Sequence, residues 1–520
     1  CPEACQRPAT CLPASEPAHP MPSHEDTALL NGHLDPRISA NFGKKTISTF
    51  SSYALLINNI TGPGLVAMCV AYQHGGWLPA TCVLLLSALG SVMSAGFLIE
   101  TMTRFSGNEN FESRVEFMEM ARALFPRTLY FMVFALFLFN ITTANVSAIL
   151  ESAQTLDQTF LMAFGSVCAF EFHPSIGVIC TSTSSDINDS VFGESIVYLS
   201  PGFCCLAAIS VPIGYWNLEE NMAIQACSFA ALIILLLQFV VQFAHNGLHP
   251  EYLPTSTLSA GAGASLGSIL FNFAFVVTVP SWVNEKRPDV KIHGSLLNSV
   301  AVGTLMFALM GAVGAMAYQF PAGADLLTKL TNPSQWFITR VLAQLFPPLV
   351  LVPGIPILSI IVRYNLLENR VCGVSLANFV AVVLPWLIAL LTMSGNMLNV
   401  ILNWAGLLTV APLNFFIPCV MFLLTAEKNM EMSLIKDNSP EKKLEKYGAY
   451  PEAEDTEDAK KKRKRWRLMP CLSPRSSIRV AWGVLIVSLA VNVAAIVLAV
   501  RGLLIREEAA HQESSTPSAF

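Results

Sequence analysis

Eleven long apolar runs constrain the fold of this 520-residue chain more than any other feature of its sequence. Most are close to the ~20 residues that a helix needs to cross a bilayer. Hydrophobic residues make up 53% of the chain and charged residues only 13%, whereas a soluble domain carries about 25% charged residues. These proportions exclude a soluble globule and a chain that is disordered throughout. The predicted spans are Ile47–Tyr72, Trp77–Met102, Thr128–Gln154, Ser190–Tyr215, Met222–Ala244, Gly263–Val283, Leu296–Tyr318, Trp336–Val362, Leu376–Met393, Val400–Leu424 and Ile478–Leu504.

The fold class that these runs predict is an all-α polytopic membrane protein with eleven transmembrane helices. Lys and Arg concentrate in alternate connections between the spans, and basic connections face the cytoplasm. The N-terminus is therefore predicted to be cytoplasmic, and the odd number of spans places the short C-terminal tail outside. The predicted organisation is a disordered cytoplasmic tail at 1–45, helices 1–5 at 46–244, helices 6–10 at 262–424, a basic cytoplasmic linker at 425–477, helix 11 at 478–504 and an outer tail at 505–520.

The connection between the third and fourth spans lies on the predicted outer side. It carries Asn188 in an Asn-Asp-Ser sequence, which is an acceptor for N-glycosylation. Cys168 and Cys180 share this connection, where they form a disulfide in an oxidising compartment or remain as two free thiols. The sequence leaves open whether the membrane is the plasma membrane or a vacuolar or lysosomal membrane.

The first span contains Asn58-Asn-Ile-Thr-Gly-Pro-Gly-Leu65 at mid-membrane depth. Pro63 lacks an amide proton and clashes with the preceding turn, and Gly62 and Gly64 permit backbone angles that other residues resist. We therefore predict that the helix is interrupted here and that its second half begins near Gly64. The free amides and the positive dipole end of such a half-helix favour a carboxylate. The alternative is a proline kink that serves helix packing.

The sixth span is interrupted at a corresponding place by Asn272, Thr278 and Pro280. Discontinuous helices in corresponding halves are typical of transporters with inverted repeats, whose ligand site lies where the broken helices meet. In the third span, Asn140 and Thr143 lie on one helical face. That face is predicted to meet the bundle interior, because polar groups that face lipid are costly. Hydrogen bonding between helices is the alternative explanation.

The sequence gives no support for an enzyme, a metal site or a nucleic-acid partner. Its cysteines show no metal-type spacing, and no nucleophile lies beside a base in a supporting scaffold. The net charge of -5 does not favour nucleic acid. The predicted partners are therefore a small-molecule substrate and the lipid bilayer, without a cofactor or a bound metal.

Two motifs resemble the amino acid/auxin permease family, within the amino acid–polyamine–organocation superfamily. The matching motifs are Asn58-x-x-x-Gly62-x-Gly64-Leu65 followed by Gly75-Gly76-Trp77, and Phe273-Ala274-Phe275 followed by Asn284-Glu285-Lys286. The resemblance covers roughly 46–504. It implies a leucine-transporter-like fold, in which two inverted repeats of five helices contain the discontinuous helices 1 and 6. The function that it implies is secondary amino acid transport by alternating access.

The chain departs from the family pattern at two places. Met68 and Cys69 stand where members often have proline, and Val276 stands where they often have glycine. We therefore expect a break in helix 6 that is tighter or displaced toward its proline, and a site that is smaller or shaped for a different substrate. Sodium-coupled relatives use the first-helix asparagine, here Asn58, with a hydroxyl in helix 8. Since helix 8 offers no Ser or Thr in its middle, and only Ser359 near its inner end, proton coupling or exchange is favoured over sodium.

The broken helices and the resemblance together predict a substrate site between helices 1, 3 and 6. Amides around Gly62, Gly64 and Leu65 would bind the substrate carboxylate, and backbone carbonyls near both breaks would accept from its ammonium. Phe273 and Phe275 would pack on the substrate side chain, or belong to the core. The predicted substrate-binding residues are Asn58, Ile60, Thr61, Gly62, Gly64, Leu65, Phe271, Asn272, Phe273, Ala274, Phe275, Asn140 and Thr143.

Glu285, at the cytoplasmic end of helix 6, is predicted to belong to the inner gate. Two other functions fit the same architecture. A transporter-shaped sensor would signal through its cytoplasmic tails when an amino acid binds, and a passive channel would conduct without alternating access. The sequence leaves open which amino acid is carried, in which direction, and in which oligomeric state.

Overall fold

In the computed structural model, the described residues are 42–427 and 466–515, apart from 63, 106, 174, 183–190, 193–194, 196, 257–266, 268, 321–325 and 394–405. Most of this part of the chain is helical. The α-helices are Thr49–Ile60, Gly64–Gly75, Trp77–Met102, Phe117–Leu124, Arg127–Phe164, Pro201–Ile213, Met222–Asn246, Val279–Glu285, Ile292–Ala317, Leu326–Thr331, Phe337–Phe346, Gly354–Glu368, Val374–Asn378, Leu384–Leu391, Ile417–Glu427 and Pro474–Ser515. The π-helical turns are Pro347–Leu351, Phe379–Val383, Gly406–Val410 and Pro412–Phe416.

The prediction of a mostly helical, polytopic membrane protein is confirmed. Within the described residues, eight helices are long and apolar enough to cross a bilayer, and the bent pair Thr49–Ile60 and Gly64–Gly75 adds a ninth if it counts as one span. Two shorter apolar helices, Pro201–Ile213 and Ile269–Glu285, lie at the positions of the predicted fourth and sixth spans. Each observed span has the ordinal number of the predicted span at its position. The count of eleven and the inverted repeat stay predictions.

The first span is broken at the predicted place. Its two halves, Thr49–Ile60 and Gly64–Gly75, are inclined at 47° to each other. The first half ends where the Thr61 amide donates back to the Ile57 oxygen at 2.8 Å. The second half begins where the Leu65 amide donates to the Gly62 oxygen at 3.1 Å. The chain therefore changes direction within a few residues.

The seventh span, Ile292–Ala317, packs against both halves of the broken first span. A Cβ added at Gly303 would lie 2.8 Å from the Ile60 side chain, and one added at Gly311 would lie 2.5 Å from the Tyr72 ring. Small residues allow helix backbones to approach closely inside membranes. Gly303 and Gly311 therefore allow both halves of the first span to pack closely against the seventh span.

The sixth span is interrupted by turns at 272–275 and a 3-10 turn at Val276–Thr278, before the helix Val279–Glu285 begins. The Phe273 and Ala274 amides each donate to the oxygen three residues back, at 3.1 Å. The backbone of the sixth span therefore turns beside the break of the first span without opening into a long loop.

The prediction of an all-α chain is wrong for the connection between the third and fourth spans. Strands β1 (Val167–His173), β2 (Gly177–Thr181) and β3 (Val197–Leu199) form an antiparallel sheet in the order β2-β1-β3. The fourth span was predicted to begin at Ser190, yet its helix begins at Pro201, because β3 pairs with β1 and Ser200 caps the helix. Apolar β-strand residues were therefore misassigned to a helix.

A disulfide joins two strands of the sheet, and apolar residues of the sheet pack against the helix bundle. Cys168 and Cys180 lie opposite each other in neighbouring strands and are bonded, with an S–S distance of 2.03 Å. On the face of the sheet opposite to the disulfide, Val167 and Ala169 are buried in a hydrophobic cluster that includes Trp386 of the ninth span. The predicted glycosylation residue Asn188 lies outside the described residues.

Removing the disulfide is expected to loosen the sheet and leave the helices intact. In the double variant Cys168→Ser/Cys180→Ser, amides of β1 and β2 should exchange hydrogen on the order of 100-fold faster, because closing a short loop contributes about 3 kcal/mol. Hydrogen exchange with mass spectrometry measures this. The control Cys372→Ser/Cys471→Ser, which changes free thiols, should behave like the parent chain. Equal exchange in both double variants would contradict this assignment.

Candidate functional site

A cavity lies where the breaks in the first and sixth spans meet the third and eighth spans. Its volume is about 70 Å³. Its described lining is Asn58, Asn59, Ile60, Gly62, Gly64, Asn140, Ile141, Ala144, Ala148, Phe271, Asn272, Ala274, Phe275, Thr278, Val350, Leu351, Gly354 and Leu358. A small, partly open cavity therefore lies at the predicted meeting place of the broken helices.

The Asn58 side chain is held by the fifth span. Its Nδ2 donates to the Gln225 backbone oxygen and to Gln225 Oε1, both at 2.9 Å. Gln225 Nε2 in turn donates to the Pro353 oxygen at 2.7 Å, beside the π-helical turn of the eighth span. Because two oxygens of Gln225 accept from one end of the Asn58 amide, that end is the nitrogen and the other end is Oδ1. Asn58 Oδ1 is buried and has no hydrogen-bond partner among the residues that the structure describes.

Asn272 joins the two broken helices. Its Nδ2 contacts the Gly64 oxygen at 3.5 Å and Met68 Sδ at 3.2 Å. A Cβ added at Gly64 would overlap Asn272 Oδ1, whereas one added at Gly62 would meet nothing within 4 Å. Glycine at position 64 is therefore required by the Asn272 amide, while Gly62 leaves open space. Asn272 Oδ1 is buried and, in the described part of the chain, accepts no hydrogen bond.

Further polar contacts link the lining across the cavity. Asn59 Nδ2 donates to Thr278 Oγ1 at 3.4 Å, and Thr278 Oγ1 donates to the Phe275 oxygen at 2.6 Å. Asn140 Nδ2 donates to Thr409 Oγ1 of the tenth span at 3.0 Å. The lining thus contains four amide side chains and one hydroxyl, surrounded by apolar groups.

Most of the predicted substrate-binding residues lie in this lining. Those that do are Asn58, Ile60, Gly62, Gly64, Asn140, Phe271, Asn272, Ala274 and Phe275. The rest do not line the cavity. Thr61 and Thr143 turn their hydroxyls back onto the Ile57 and Asn140 backbone oxygens.

Leu65 and Phe273 make other contacts in this structure. The Leu65 amide is already bonded to the Gly62 oxygen, so that it is not free for a carboxylate in this conformation. The Phe273 ring is fully buried, with its centroid 6.1 Å from that of Phe307 in the seventh span. Phe273 therefore packs between helices here.

Sequence reasoning missed several residues of the site. Asn59 and Thr278 were part of the broken segments but were not assigned to the lining, and Gln225 was not considered. The eighth span contributes Val350, Leu351, Gly354 and Leu358 through its π-helical turn. The prolines of that span are typical of an irregular helix, but they do not indicate which of its sides faces the cavity.

Glu285 lies in a second polar cluster. The cluster is at the end of the bundle where residues 42–47, the N-terminal segment, make their contacts. Arg114 Nη2 bonds Glu285 Oε1 at 2.9 Å, and Arg114 Nη1 bonds Glu116 Oε1 at 3.2 Å. Both carboxylates are completely buried. Burial disfavours the charge on Arg114, yet Glu116 and Glu285 raise its pKa. Arg114 therefore carries the positive charge that makes the two carboxylates tolerable there.

Glu116 ties the connection between the second and third spans to the sixth span. Its Oε2 accepts from Ser281 Oγ at 2.7 Å, and its Oε1 accepts from Asn284 Nδ2 at 2.9 Å. The Asn284 side chain also accepts from the Val115 amide at 3.2 Å and donates to the Val115 oxygen at 3.1 Å. Burial raises the pKa of Glu116, against the opposing effects of Arg114 and these two donors.

The N-terminal segment lies across the same cluster. The Gly43 amide donates to Glu285 Oε1 at 3.1 Å, and the Ile47 amide donates to the Glu285 backbone oxygen at 3.1 Å. The Arg287 amide returns a bond to the Ile47 oxygen at 3.0 Å. The Arg114 guanidinium lies 4.5 Å from the centre of the Phe42 ring. These contacts close this end of the bundle.

Comparisons with known proteins identify relatives of this chain. A family model described as transmembrane amino acid transporter protein matches residues 45–434. A transmembrane protein 104 homolog of Caenorhabditis elegans is 22% identical over 364 residues, which are 64% of this chain and 72% of the relative. A homolog of the same name from Caenorhabditis briggsae is 20% identical over 356 residues, or 63% of this chain and 71% of the relative.

One solved structure supports the fold. Mhp1, a nucleobase-cation-symport-1 family transporter in a closed conformation with bromovinylhydantoin bound, has a TM-score of 0.52. It is 14% identical and covers 90% of this chain and 96% of its own length. The likeness therefore concerns the arrangement of helices, and not the ligand.

Replacing Gly64 by alanine is expected to weaken the contact between the first and sixth spans. Gly64→Ala should destabilise the purified protein by about 1–3 kcal/mol, because the added methyl overlaps the Asn272 amide. The matched control Gly62→Ala should cost less than about 1 kcal/mol, because its methyl enters open space. Thermal unfolding measures both. A second change, Asn272→Ala, should lower the cost of Gly64→Ala, and equal costs at both glycines would contradict the account.

Proposed function

Because this chain belongs to the family of transmembrane amino acid transporter proteins, we propose that it carries amino acids across a membrane by alternating access. It is an integral, multi-pass membrane protein and a transporter, not an enzyme. The observation that carries the proposal is the cavity between the breaks of the first and sixth spans, which is lined by amide side chains.

The substrate carboxylate is proposed to lie at the start of the helix Gly64–Gly75. The first amides of a helix have no partner within it, and the helix dipole favours a negative charge there. Gly62 adds to this site because it lines the cavity and, among the described residues, its amide donates to no backbone oxygen. The α-ammonium would then face Asn58 Oδ1 and Asn272 Oδ1, which need donors.

The cluster around Glu285 is proposed to be the inner gate. Basic connections predict that the end with the N-terminal segment is cytoplasmic, and there Arg114 joins Glu116 and Glu285. Alternating access requires this cluster to separate when the cavity opens to the cytoplasm. The gate and the cavity share the sixth span, since Thr278 lines the cavity and Ser281 binds Glu116.

Proton coupling or exchange is proposed in preference to sodium coupling. A sodium site of the kind known in relatives would pair Asn58 with a hydroxyl of the eighth span. Ser359 is the hydroxyl near the inner end of that span, and it accepts from Asn145 Nδ2 of the third span at 3.1 Å. This contact supports the view that Ser359 serves packing between the third and eighth spans.

Transport is tested by flux into proteoliposomes that contain the purified full-length chain. We expect saturable uptake of at least one labelled amino acid, faster when unlabelled amino acid is present on the other side. An imposed pH gradient should drive uptake, and replacing sodium by choline should not change it. Binding without flux would favour the sensor, and flux that rises linearly without trans-stimulation would favour a channel.

Loss of Arg114 is expected to open the inner gate. Arg114→Gln leaves two buried carboxylates without their cation, and breaking a buried pair costs about 3–5 kcal/mol. The amides of residues 43–47 should therefore exchange hydrogen at least about tenfold faster. The control Arg122→Gln removes an arginine that bonds the Asn369 oxygen instead, and it should leave residues 43–47 unchanged. The same exchange in both variants would argue against this gate.

A further inference from the structure

We propose that a basic and aromatic patch at the predicted cytoplasmic end of the bundle binds the phosphate groups of an anionic lipid headgroup. We call it the headgroup patch, and its residues are Lys45, Phe111, Lys286, His293 and Trp466. They precede the first span, follow the second and the sixth, begin the seventh and precede the eleventh. The patch is separate from the cavity between the broken helices, and its ligand is independent of the proposed transport.

Phe111 lies at the centre of the headgroup patch. Its backbone oxygen accepts from Lys45 Nζ. Its ring centre lies 5.6 Å from Lys286 Nζ and 6.5 Å from the centre of the Trp466 ring. Its φ of 61° lies in the left-handed region, which a bulky side chain rarely adopts. Strained residues of this kind cluster at ligand sites, and this one brings two lysines and a tryptophan together.

The two lysines have no carboxylate partner among the residues that the structure describes. Lys45 Nζ also donates to the Glu112 backbone oxygen at 3.1 Å, and Lys286 Nζ donates to the Arg287 oxygen at 3.3 Å. Lys286 is only 6% exposed. Burial and the charge of Lys45 lower the pKa of Lys286, against the opposing effect of Asp289. Because a buried ammonium is costly unless it is paired, an anion shared by the two lysines would stabilise this arrangement.

Trp466 is held in place by the second and seventh spans. Its ring centroid lies 4.4 Å from that of His293, and His293 Nε2 lies 3.0 Å from the Leu468 oxygen. The Leu468 amide donates to Glu100 Oε2 at 3.0 Å, and a Cβ added at Gly96 would overlap the Leu468 side chain. The segment that carries Trp466 is therefore docked on the bundle beside the two lysines.

Further basic residues surround the headgroup patch in the sequence. Arg287 and Lys291 are exposed after the sixth span, and Arg467 follows Trp466. Residues 460–465 are Lys-Lys-Lys-Arg-Lys-Arg; they lie outside the described residues and are not counted in the patch. Clusters of about four to eight Lys and Arg next to the cytoplasmic end of a membrane helix are typical of segments that bind anionic lipids. The surroundings therefore favour an anionic ligand.

The position of the headgroup patch favours a lipid over a soluble phosphate. Lys286 directly follows the sixth span, and His293 lies in the first turn of the seventh, so that both lie at the depth of the headgroups. One turn further along the seventh span, Leu297 is 57% exposed on the same side as His293. An exposed leucine there contacts acyl chains, and tryptophan is enriched at the membrane–water interface. The patch and the adjoining helix face can therefore take the headgroup and the chains of one lipid.

Binding of short-chain lipids to the purified full-length protein tests the proposal. The probes are dioctanoyl phosphatidylinositol bisphosphate, dioctanoyl phosphatidylcholine and free inositol trisphosphate, and native mass spectrometry measures the bound fraction of each. The phosphorylated lipid should bind at least about tenfold more tightly than phosphatidylcholine, because each lysine near an anionic group adds to the attraction. It should also bind more tightly than inositol trisphosphate, because its acyl chains contribute. Equal binding of the two lipids would overturn the proposal, and inositol trisphosphate binding as tightly as the lipid would overturn the choice of a lipid.

Matched variants locate the bound lipid. Lys45→Gln/Lys286→Gln should weaken binding of the phosphorylated lipid at least about tenfold. The control Arg127→Gln/Lys329→Gln removes the same charge outside the patch, and it should change binding less than about twofold, because distant charges are screened by salt. The same loss in both double variants would mean that overall charge attracts the lipid, and would overturn the site.

The unfolding midpoint without lipid shows whether each variant is folded. If Lys45→Gln/Lys286→Gln is not folded, Lys45→Gln alone changes an exposed residue and should still weaken binding about threefold. Binding by Lys45→Gln that equals binding by the parent chain would then overturn the proposal.

Discussion

A peptide backbone that is buried in lipid must satisfy its own hydrogen bonds, and the two broken spans meet this demand with side-chain amides. The Val277 amide, freed by the break in the sixth span, donates to Asn414 Oδ1 of the tenth span at 3.2 Å. Asn272 reaches from the sixth span to the Gly64 oxygen. Asn272 also lines the cavity. Polar groups are thus concentrated at one depth of an otherwise apolar bundle.

The sixth span runs from this cavity to the polar cluster around Arg114 and Glu285. Thr278 lines the cavity, and Ser281, Asn284 and Glu285 bind the connection and the N-terminal segment within the next two turns. These groups lie on the short helix Val279–Glu285. A movement of that helix would change the lining and the closure together. Such linkage between a ligand site and a distant contact is what alternating access requires.

Local chemistry was predictable from the sequence, but long-range partners were not. Proline between two glycines predicted the break before Gly64, because the missing amide proton and the lack of a Cβ act within a few residues. The partner of Asn58 is Gln225, 167 residues away, and no local pattern indicates it. The sheet was missed because Val197–Leu199 are apolar and adjoin a helix. Their pairing with β1 depends on residues that precede the fourth span.

The most direct test of the account is the position of a bound amino acid. A cryo-electron microscopy map of the full chain with saturating leucine should show the carboxylate within about 3.2 Å of the backbone amide of Gly62, at the start of the helix Gly64–Gly75. Its ammonium should lie at the same distance from the Asn58 or Asn272 side-chain oxygen. An unbroken first span, or leucine bound away from these residues, would contradict the central claim.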